Sequence, residues 1–355
     1  MIAPSPGPHA HPPSGPVVAA ILAPSFPTRH LAALTDAIAR EFPDVEAVIA
    51  PYDEGQAVRS KRGSDPAAAV DPPVLTAAQR SALARAHVAL ALDLPGPIAQ
   101  YAPNLRWVQA VGAGIGQLRA AGVPGPGVRL TTAAGAAAVG IAEFVFARVL
   151  EVVKDLRAIN QAQHDRAWRP LFGESLQGKT IALVGLGAIN REVARLAGAF
   201  GMRVLASHRS AVPGERVAGI AQVFGAADLV PMVGQADVVV AAVPEGPSTH
   251  GILSDELMRA MSPGSILCNV GRGSALDEQA LIALLRDGHL GAAILDVSRT
   301  EPLPPDDPLW EAPRLYYSAH CAVVVDQLFE NLAALFVQNL RRWLQGDPLV
   351  NDVMD

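Results

Sequence analysis

From residue 17 onward, short runs of apolar and often β-branched residues alternate with Ala- and Leu-rich stretches of helical spacing. This rhythm narrows the possible folds more than any other feature. The first series runs VVAAIL at 17–22, a helix near 28–41, VEAVIA at 45–50, a helix near 76–85, HVALAL at 87–92 and RWVQAV at 106–111. A second series runs TIALVGLG at 180–187, a helix to about Phe200, MRVLAS at 202–207, ADVVVAAVP at 236–244, a helix near 254–260, SILCNVG at 265–271, a helix near 277–286, GAAILDV at 291–297 and LYYSAH at 315–320. Strands that alternate with helices pair in parallel, with helices on both faces of the sheet. The pattern therefore predicts an α/β fold with two doubly wound parallel-sheet domains and a cleft between them.

The 355 residues, half of them hydrophobic, are enough for two cores. Residues 1–16 (MIAPSPGPHAHPPSGP) carry almost nothing to bury and are expected to be a disordered tail. The polar, Pro-containing stretch from Asp53 to Pro73 exceeds an ordinary α/β connection and is expected to be an inserted surface loop. From Ala137 to Trp168 no Pro interrupts a helical spacing of apolar residues (Ile141, Val145, Val149, Val152, Leu156), which predicts one long helix opening the second domain. A closing helix near 326–344 is expected to return to the first domain. The expected division is thus 17–136 plus 321–355 as one domain and 137–320 as the other, with hinges near 135 and 320.

With 28 Lys plus Arg against 34 Asp plus Glu, the net charge of −6 gives no general attraction to nucleic acid or anionic lipid. No apolar run reaches the ~18 to 20 residues of a membrane helix, and no basic residue precedes the short apolar stretch at 17–23, so no export signal is expected. Two cysteines, Cys268 and Cys321, are too few for a disulfide framework and point to a reducing, cytoplasmic setting. No His, Asp or Glu cluster has metal-ligand spacing, so no metal is expected.

Val184-Gly185-Leu186-Gly187-Ala188-Ile189-Asn190 follows a buried-type strand and opens a helix, a setting that places a pyrophosphate over a helix N-terminus. Gly185, Gly187, Ala188 and Ile189 are the expected contacts, with Val243 and Pro244 at the end of a neighbouring strand. In the G-x-G-x-x-G pattern the third glycine allows close helix packing, and here Asn190 stands in its place. About 20 residues on, an NAD site usually has a carboxylate for the adenosine ribose. This chain has Ala206-Ser207-His208-Arg209-Ser210 instead, and Ser207, His208 and Arg209 suit a 2′-phosphate. NADP(H) is therefore expected over NAD(H), with NAD(H) possible; a solvated surface role for Arg209 is the alternative.

Three further segments fall at strand ends, where open α/β sheets bind ligands. They are Asn269-Val270-Gly271-Arg272-Gly273, Asp296-Val297-Ser298-Arg299-Thr300-Glu301-Pro302-Leu303 and Ser318-Ala319-His320-Cys321-Ala322. Together with the Gly-rich turn they resemble the D-isomer-specific 2-hydroxyacid dehydrogenase family, which includes glyoxylate and hydroxypyruvate reductases, over roughly residues 87–345. The resemblance implies two Rossmann-like domains, a flavodoxin-like substrate domain over 17–136 plus 321–355 and a dinucleotide-binding domain over 137–320, with a small 2-oxo or 2-hydroxy acid as substrate and reactive roles for Arg272, Glu301 and His320. Those residue types suit the chemistry. A guanidinium binds a carboxylate with two prongs and polarises the adjacent carbonyl, and an imidazole exchanges a proton near neutrality. A carboxylate bonded to the ring favours its protonated form. By the same resemblance Asp296 lies near the nicotinamide carboxamide, and the backbone at Val111, Gly112 and Ala113 binds the substrate carboxylate. The Asp93-Leu94-Pro95-Gly96 loop, Leu94 above all, is expected to face the substrate side chain. Each of these residues also has an ordinary packing, turn or capping role open to it.

The chain departs from the family where Asn190 replaces Gly, where Ala319 rather than Pro precedes His320, and where Ile115-Gly116-Gln117 lacks the usual Asp. A Cys321/His320 nucleophile pair is disfavoured, because neighbours along a strand point to opposite faces. A formate dehydrogenase is disfavoured because that branch carries Gln where Glu301 stands. A phosphite-oxidising enzyme and a dinucleotide-sensing binding protein resembling the C-terminal-binding corepressors share the Arg, Glu and His and remain alternatives. The expected helix from 137 suggests a homodimer, with apolar helical surface covered by a second copy.

Overall fold

The computed structural model describes residues 12–13, 15–24, 26–64, 71, 73–212 and 214–353. They divide into two compact units, one running up to Ala136 and resuming at Val325, the other spanning Ala137–Val324.

The first unit contains β1 (Val17–Ile21), α1 (Thr28–Glu41), β2 (Val45–Ile49), α2 (Gln56–Ser64), α3 (Ala77–Arg85), β3 (Val88–Ala91), β4 (Trp107–Ala110), α4 (Gly116–Ala120) and β5 (Arg129–Thr131). Its sheet has the order β2-β1-β3-β4-β5, the flavodoxin arrangement, and all pairings are parallel. β1, β3 and β4 are buried at every position, as strands covered on both faces must be. Helix α1 buries His30, Leu34 and Ile38, one residue per turn, and α3 starts at a capping box formed by Thr76 and Gln79.

The second unit contains α5 (Ala138–Val153), α6 (Leu156–His164), β6 (Thr180–Val184), α7 (Ala188–Ala199), β7 (Arg203–Ser207), β8 (Gln222–Phe224), α8 (Leu229–Val233), β9 (Val238–Ala241), α9 (Asp255–Arg259), β10 (Ile266–Asn269), α10 (Glu278–Arg286), β11 (Ala292–Leu295) and β12 (Leu315–Tyr317). Its seven parallel strands lie in the order β12-β11-β10-β9-β6-β7-β8. The chain reverses direction across the sheet between β6 and β9, the switch point at which such sheets bind ligands. Helix α11 (Val325–Gln345) closes the first unit. Its Phe336 stacks on Trp107 at 5.4 Å between ring centres, and Asn339 donates to Gln109 Oε1 at 3.0 Å in the buried layer.

Three expectations change. The single helix over 137–168 is two, because Asp155 turns into the left-handed region (φ 50°) between α5 and α6. Val145 and Val149 of α5 are buried, whereas Leu156 and Ile159 of α6 are exposed, so the apolar spacing does not continue one packed face. The 53–73 segment is not simply a surface loop, for it contains α2, whose Arg62 is buried; residues 65–70 and 72 lie outside the described residues. Of the expected disordered tail, residues 1–11 and 14 lie outside them too, while Pro12, Pro13, Gly15 and Pro16 line a surface cavity beside Phe42 and Leu344.

Candidate active site

The Gly-rich turn joins β6 to α7. Gly185 has φ +86°, and a Cβ there would sit 2.9 Å from Val243 Cγ1, so only glycine fits. Val243 is thus a buried wedge, while Pro244 beyond it is exposed. Gly187 caps α7, with open space where its Cβ would be. The first helical N–H groups, those of Ala188, Ile189 and Asn190, lack intrahelical acceptors, as at any helix start. An open approach, unpaired donors and the positive end of a twelve-residue helix fit a pyrophosphate.

Asn190 is fully buried. Its Nδ2 lies 3.1 Å from the Val184 carbonyl, 2.6 Å from that of Gly185 and 3.4 Å from that of Val240, while its Oδ1 has no partner among the described residues. The side chain fills the space a third glycine would leave and ties the turn to the sheet instead.

At the end of β7, Ser207 is buried, with its Oγ 3.4 Å from the Gly185 N–H and 3.5 Å from the Leu183 carbonyl. It supports the turn from below. His208 places Nε2 3.0 Å from Glu215 Oε2 and Nδ1 3.3 Å from Ser210 Oγ. Arg209 is exposed and has no partner among the described residues, so its charge is available to an anion.

Arg272, Glu301 and His320 all lie in the second unit, on three separate segments. Asn269 closes the Arg272 turn by accepting from the Gly271 N–H at 3.1 Å and donating to the Arg272 carbonyl at 3.0 Å. A Cβ on Gly273 would overlap the Ser298 carbonyl group, so the turns carrying Arg272 and Glu301 are in direct contact. Glu301 Oε2 meets His320 Nδ1 at 2.8 Å, and Glu301 Oε1 accepts from the Ser298 N–H at 3.1 Å. The His320 side chain is 51% exposed and that of Glu301 28%. Nε2 of His320 has no partner among the described residues and is the nitrogen open to a substrate.

The Glu301 hydrogen bond raises the His320 pKa. Burial and the Arg272 charge oppose the rise, while the charges of Glu301 and Asp296 support it. Burial pushes the Glu301 carboxyl up, but the hydrogen bond and charge of His320, the Ser298 N–H and Arg272 together bring it below the usual range. Both shifts run in the direction that favours a protonated imidazole against a carboxylate.

Asp296 is engaged within the protein. Its Oδ1 accepts from Ser318 Oγ at 2.7 Å and from the Cys321 N–H at 2.9 Å, its Oδ2 from the Ala322 N–H at 3.2 Å, and its carbonyl from the His320 N–H at 2.9 Å. It shapes the loop that carries His320, which has φ 52°. His320 and Cys321 lie beyond the end of β12 rather than along a strand, so the alternation that was expected to separate them does not apply.

In the first unit, the Val111 N–H bonds the Ala91 carbonyl, whereas the N–H groups of Gly112 and Ala113 have no acceptor among the described residues. Leu94, expected to face substrate, is only 1% exposed and packs in the core. Above it, Arg59 spans the buried Asp93 carboxylate with Nε at 2.9 Å and Nη2 at 2.8 Å, and Arg62 pairs with Glu54. No local pattern signals this ion-pair layer, because Arg59 and the Glu54 N–H meet Asp93, with Asp53 also on Arg59 and Arg62 on Glu54, only once α2 folds back onto the strand ends. Ser298, Ser318 and Tyr317 were missed as well: they stand in or beside the motifs, but what they touch is set by distant chain segments.

The model of the D-isomer-specific 2-hydroxyacid dehydrogenase NAD-binding domain matches residues 146–322. An (S)-sulfolactate dehydrogenase of Chromohalobacter salexigens is 34% identical over 244 residues, 68% of this chain and 78% of that protein. A glyoxylate reductase of Thermofilum pendens is 29% identical over 252 residues, 69% of this chain and 74% of that protein. A D-isomer-specific 2-hydroxyacid dehydrogenase of Xanthobacter autotrophicus Py2, solved with NADPH and MES, superposes with a TM-score of 0.76 at 26% identity, covering 96% of this chain and 98% of its own.

Proposed function

Since the chain belongs to the D-isomer-specific 2-hydroxyacid dehydrogenase family, we propose that it reduces a small 2-oxo acid of the glyoxylate or hydroxypyruvate type to the D-2-hydroxy acid, with NADPH preferred over NADH. The Glu301–His320 contact at 2.8 Å carries the reading, because it holds one imidazole nitrogen against a carboxylate that favours the protonated ring and leaves the other nitrogen open.

When bound at the Gly-rich turn, NADPH would supply the hydride. Arg272 binds the substrate carboxylate and stabilises the negative charge that grows on the carbonyl oxygen. His320 delivers its Nε2 proton to that oxygen and is left as a neutral ring whose Nδ1–H points at Glu301, which fixes the tautomer. In the reverse direction the neutral ring takes the hydroxyl proton. The unpaired N–H groups of Gly112 and Ala113 suit a carboxylate, and the exposed Arg209 suits the 2′-phosphate that separates NADPH from NADH. Asp296 serves by shaping the His320 loop.

We place the protein in the cytoplasm as a homodimer. Both cysteines are free thiols, which fits a reducing compartment. No described helix is long and apolar enough to cross a membrane. Trp168 and Phe172, 99% and 92% exposed beyond α6, give a second copy apolar surface to cover.

A panel of 2-oxo acids, formate and phosphite, each tested with NADP(H) and NAD(H), decides the activity. Turnover of a 2-oxo acid, with His320→Gln lowering kcat by roughly 10²- to 10⁴-fold, is expected. Tight NADPH binding without turnover of any panel member would leave a dinucleotide-sensing protein and defeat the enzyme reading.

A further inference from the structure

Ser298 stands where the three reactive segments meet, and each of its polar groups is used. Its N–H donates to Glu301 Oε1 at 3.1 Å. Its carbonyl group fills the space a side chain on residue 273 would need, so it sets the height of the Arg272 turn. Its hydroxyl donates to the Thr300 carbonyl at 2.8 Å and lies 3.1 Å from the hydroxyl of Tyr317. Tyr317 is the last residue of β12, three positions before His320. Ser298 is itself buried.

We propose that Ser298 is the positioning residue that registers Arg272, Glu301 and His320 to one another. The physical reason is that none of the three is held by its own strand. Arg272 lies past β10, Glu301 past β11 and His320 past β12, and parallel strands fix the spacing of their ends without fixing the loops beyond them. Asp296 ties the β11 loop to the His320 loop, and Ser298 adds contact with all three segments, meeting one through its carbonyl, one through its N–H and one through its hydroxyl. The Tyr317 ring is braced in turn by Trp310, edge-on at 5.1 Å. From the other side, the neighbouring Arg299 N–H donates to Glu278 Oε1 at 2.7 Å. The serine therefore sits in a loop fastened on both flanks. A displacement of about 1 Å in such a constellation costs up to about a hundredfold in rate.

The inference rests on Arg272, Glu301 and His320 being the reactive groups. Around the His320 ring the charged groups are Glu301 at Nδ1, Arg272 and Asp296; Ser298→Ala touches none of them and keeps the backbone N–H. What it removes is the hydroxyl that ties the loop to Tyr317 and Thr300.

The test uses the full chain, with the His320 imidazole titrated by NMR and kcat followed against pH. Ser298→Ala is expected to lower kcat roughly tenfold, leave KM for NADPH unchanged, and move the His320 titration to lower pH as Glu301 loosens. Tyr317→Phe, which deletes one oxygen, is expected to move both readouts in the same direction by less, and it decides the matter should Ser298→Ala fail to fold. Folded variants with unchanged titration and unchanged kcat overturn the role of Ser298, provided that His320→Gln is inactive. Full activity of His320→Gln overturns the reading of the site itself, and the role of Ser298 with it.

Discussion

Replacing Asn190 with Gly restores the common glycine pattern of the phosphate-binding turn, and the structure predicts that this harms the protein. The amide Nδ2 has two hydrogens and three carbonyls within 3.4 Å, those of Val184, Gly185 and Val240. Two buried hydrogen bonds at about 1 kcal/mol each are lost, and Gly inside a helix costs about 0.4 kcal/mol more than Asn. Against this, the buried Oδ1 of Asn190 has no partner, and removing it returns about 1 kcal/mol. The net loss is about 1.5 kcal/mol, which for a unit of this size lowers Tm by roughly 3 to 6 °C. NADPH binding weakens too, because the Gly185 carbonyl is no longer anchored and the turn loses its fixed orientation. Thermal unfolding and NADPH fluorescence titration of Asn190→Gly measure both effects. A variant as stable as the parent, with undiminished NADPH affinity, would show that the amide merely fills space.

The His320 pKa is raised by Glu301, and in the proposed mechanism reduction needs the protonated ring. So kcat/KM for reduction should be level at low pH and fall as pH rises through that value, with oxidation showing the reverse; Glu301→Gln should move the inflection to lower pH. For stability, the His320 contribution is fully present below its unfolded value and is lost as pH rises through the raised folded value. That of Glu301 is present above its unfolded value and is lost as pH falls through the lowered one, so chemical denaturation should find the pair contributing only between the two folded values. Arg209→Ala should weaken NADPH by about 1.5 to 3 kcal/mol, roughly 10- to 150-fold in KM, and leave NADH unaffected; an equal loss for both cofactors would place Arg209 away from the 2′-phosphate. Light scattering at micromolar concentration should give a dimer mass, and Trp168→Ser with Phe172→Ser should shift it towards the monomer; a monomeric parent protein ends the homodimer proposal.

The local signals were strong where the chain repeats one short pattern. Apolar β-branched runs, Gly-rich turns and amphipathic spacing are short-range, and they announced the parallel strands, the strand–Gly-x-Gly–helix unit and the three motifs at strand ends. They failed where a residue's role is set by something distant. The continuous helical spacing past Val153 hid the break at Asp155, because apolar periodicity says nothing of backbone dihedrals, although Asp is one of the few residue types that visits the left-handed region. The polar stretch after Pro51 looked solvated, yet Arg59 and Arg62 neutralise carboxylates at the strand ends.

The sequence by itself determined the class of fold and the residue types of the proposed reactive set, since alternation and motif order are written along the chain. Tertiary structure alone decided which groups are in use. It paired His320 with Glu301, committed Asp296 to the loop below them, buried Leu94 and made Asn190 a hydrogen-bonded wedge. Hydrogen bonds and desolvation act over a few ångströms in space, and here they join residues 19 to 50 or more positions apart, a separation that no local pattern records.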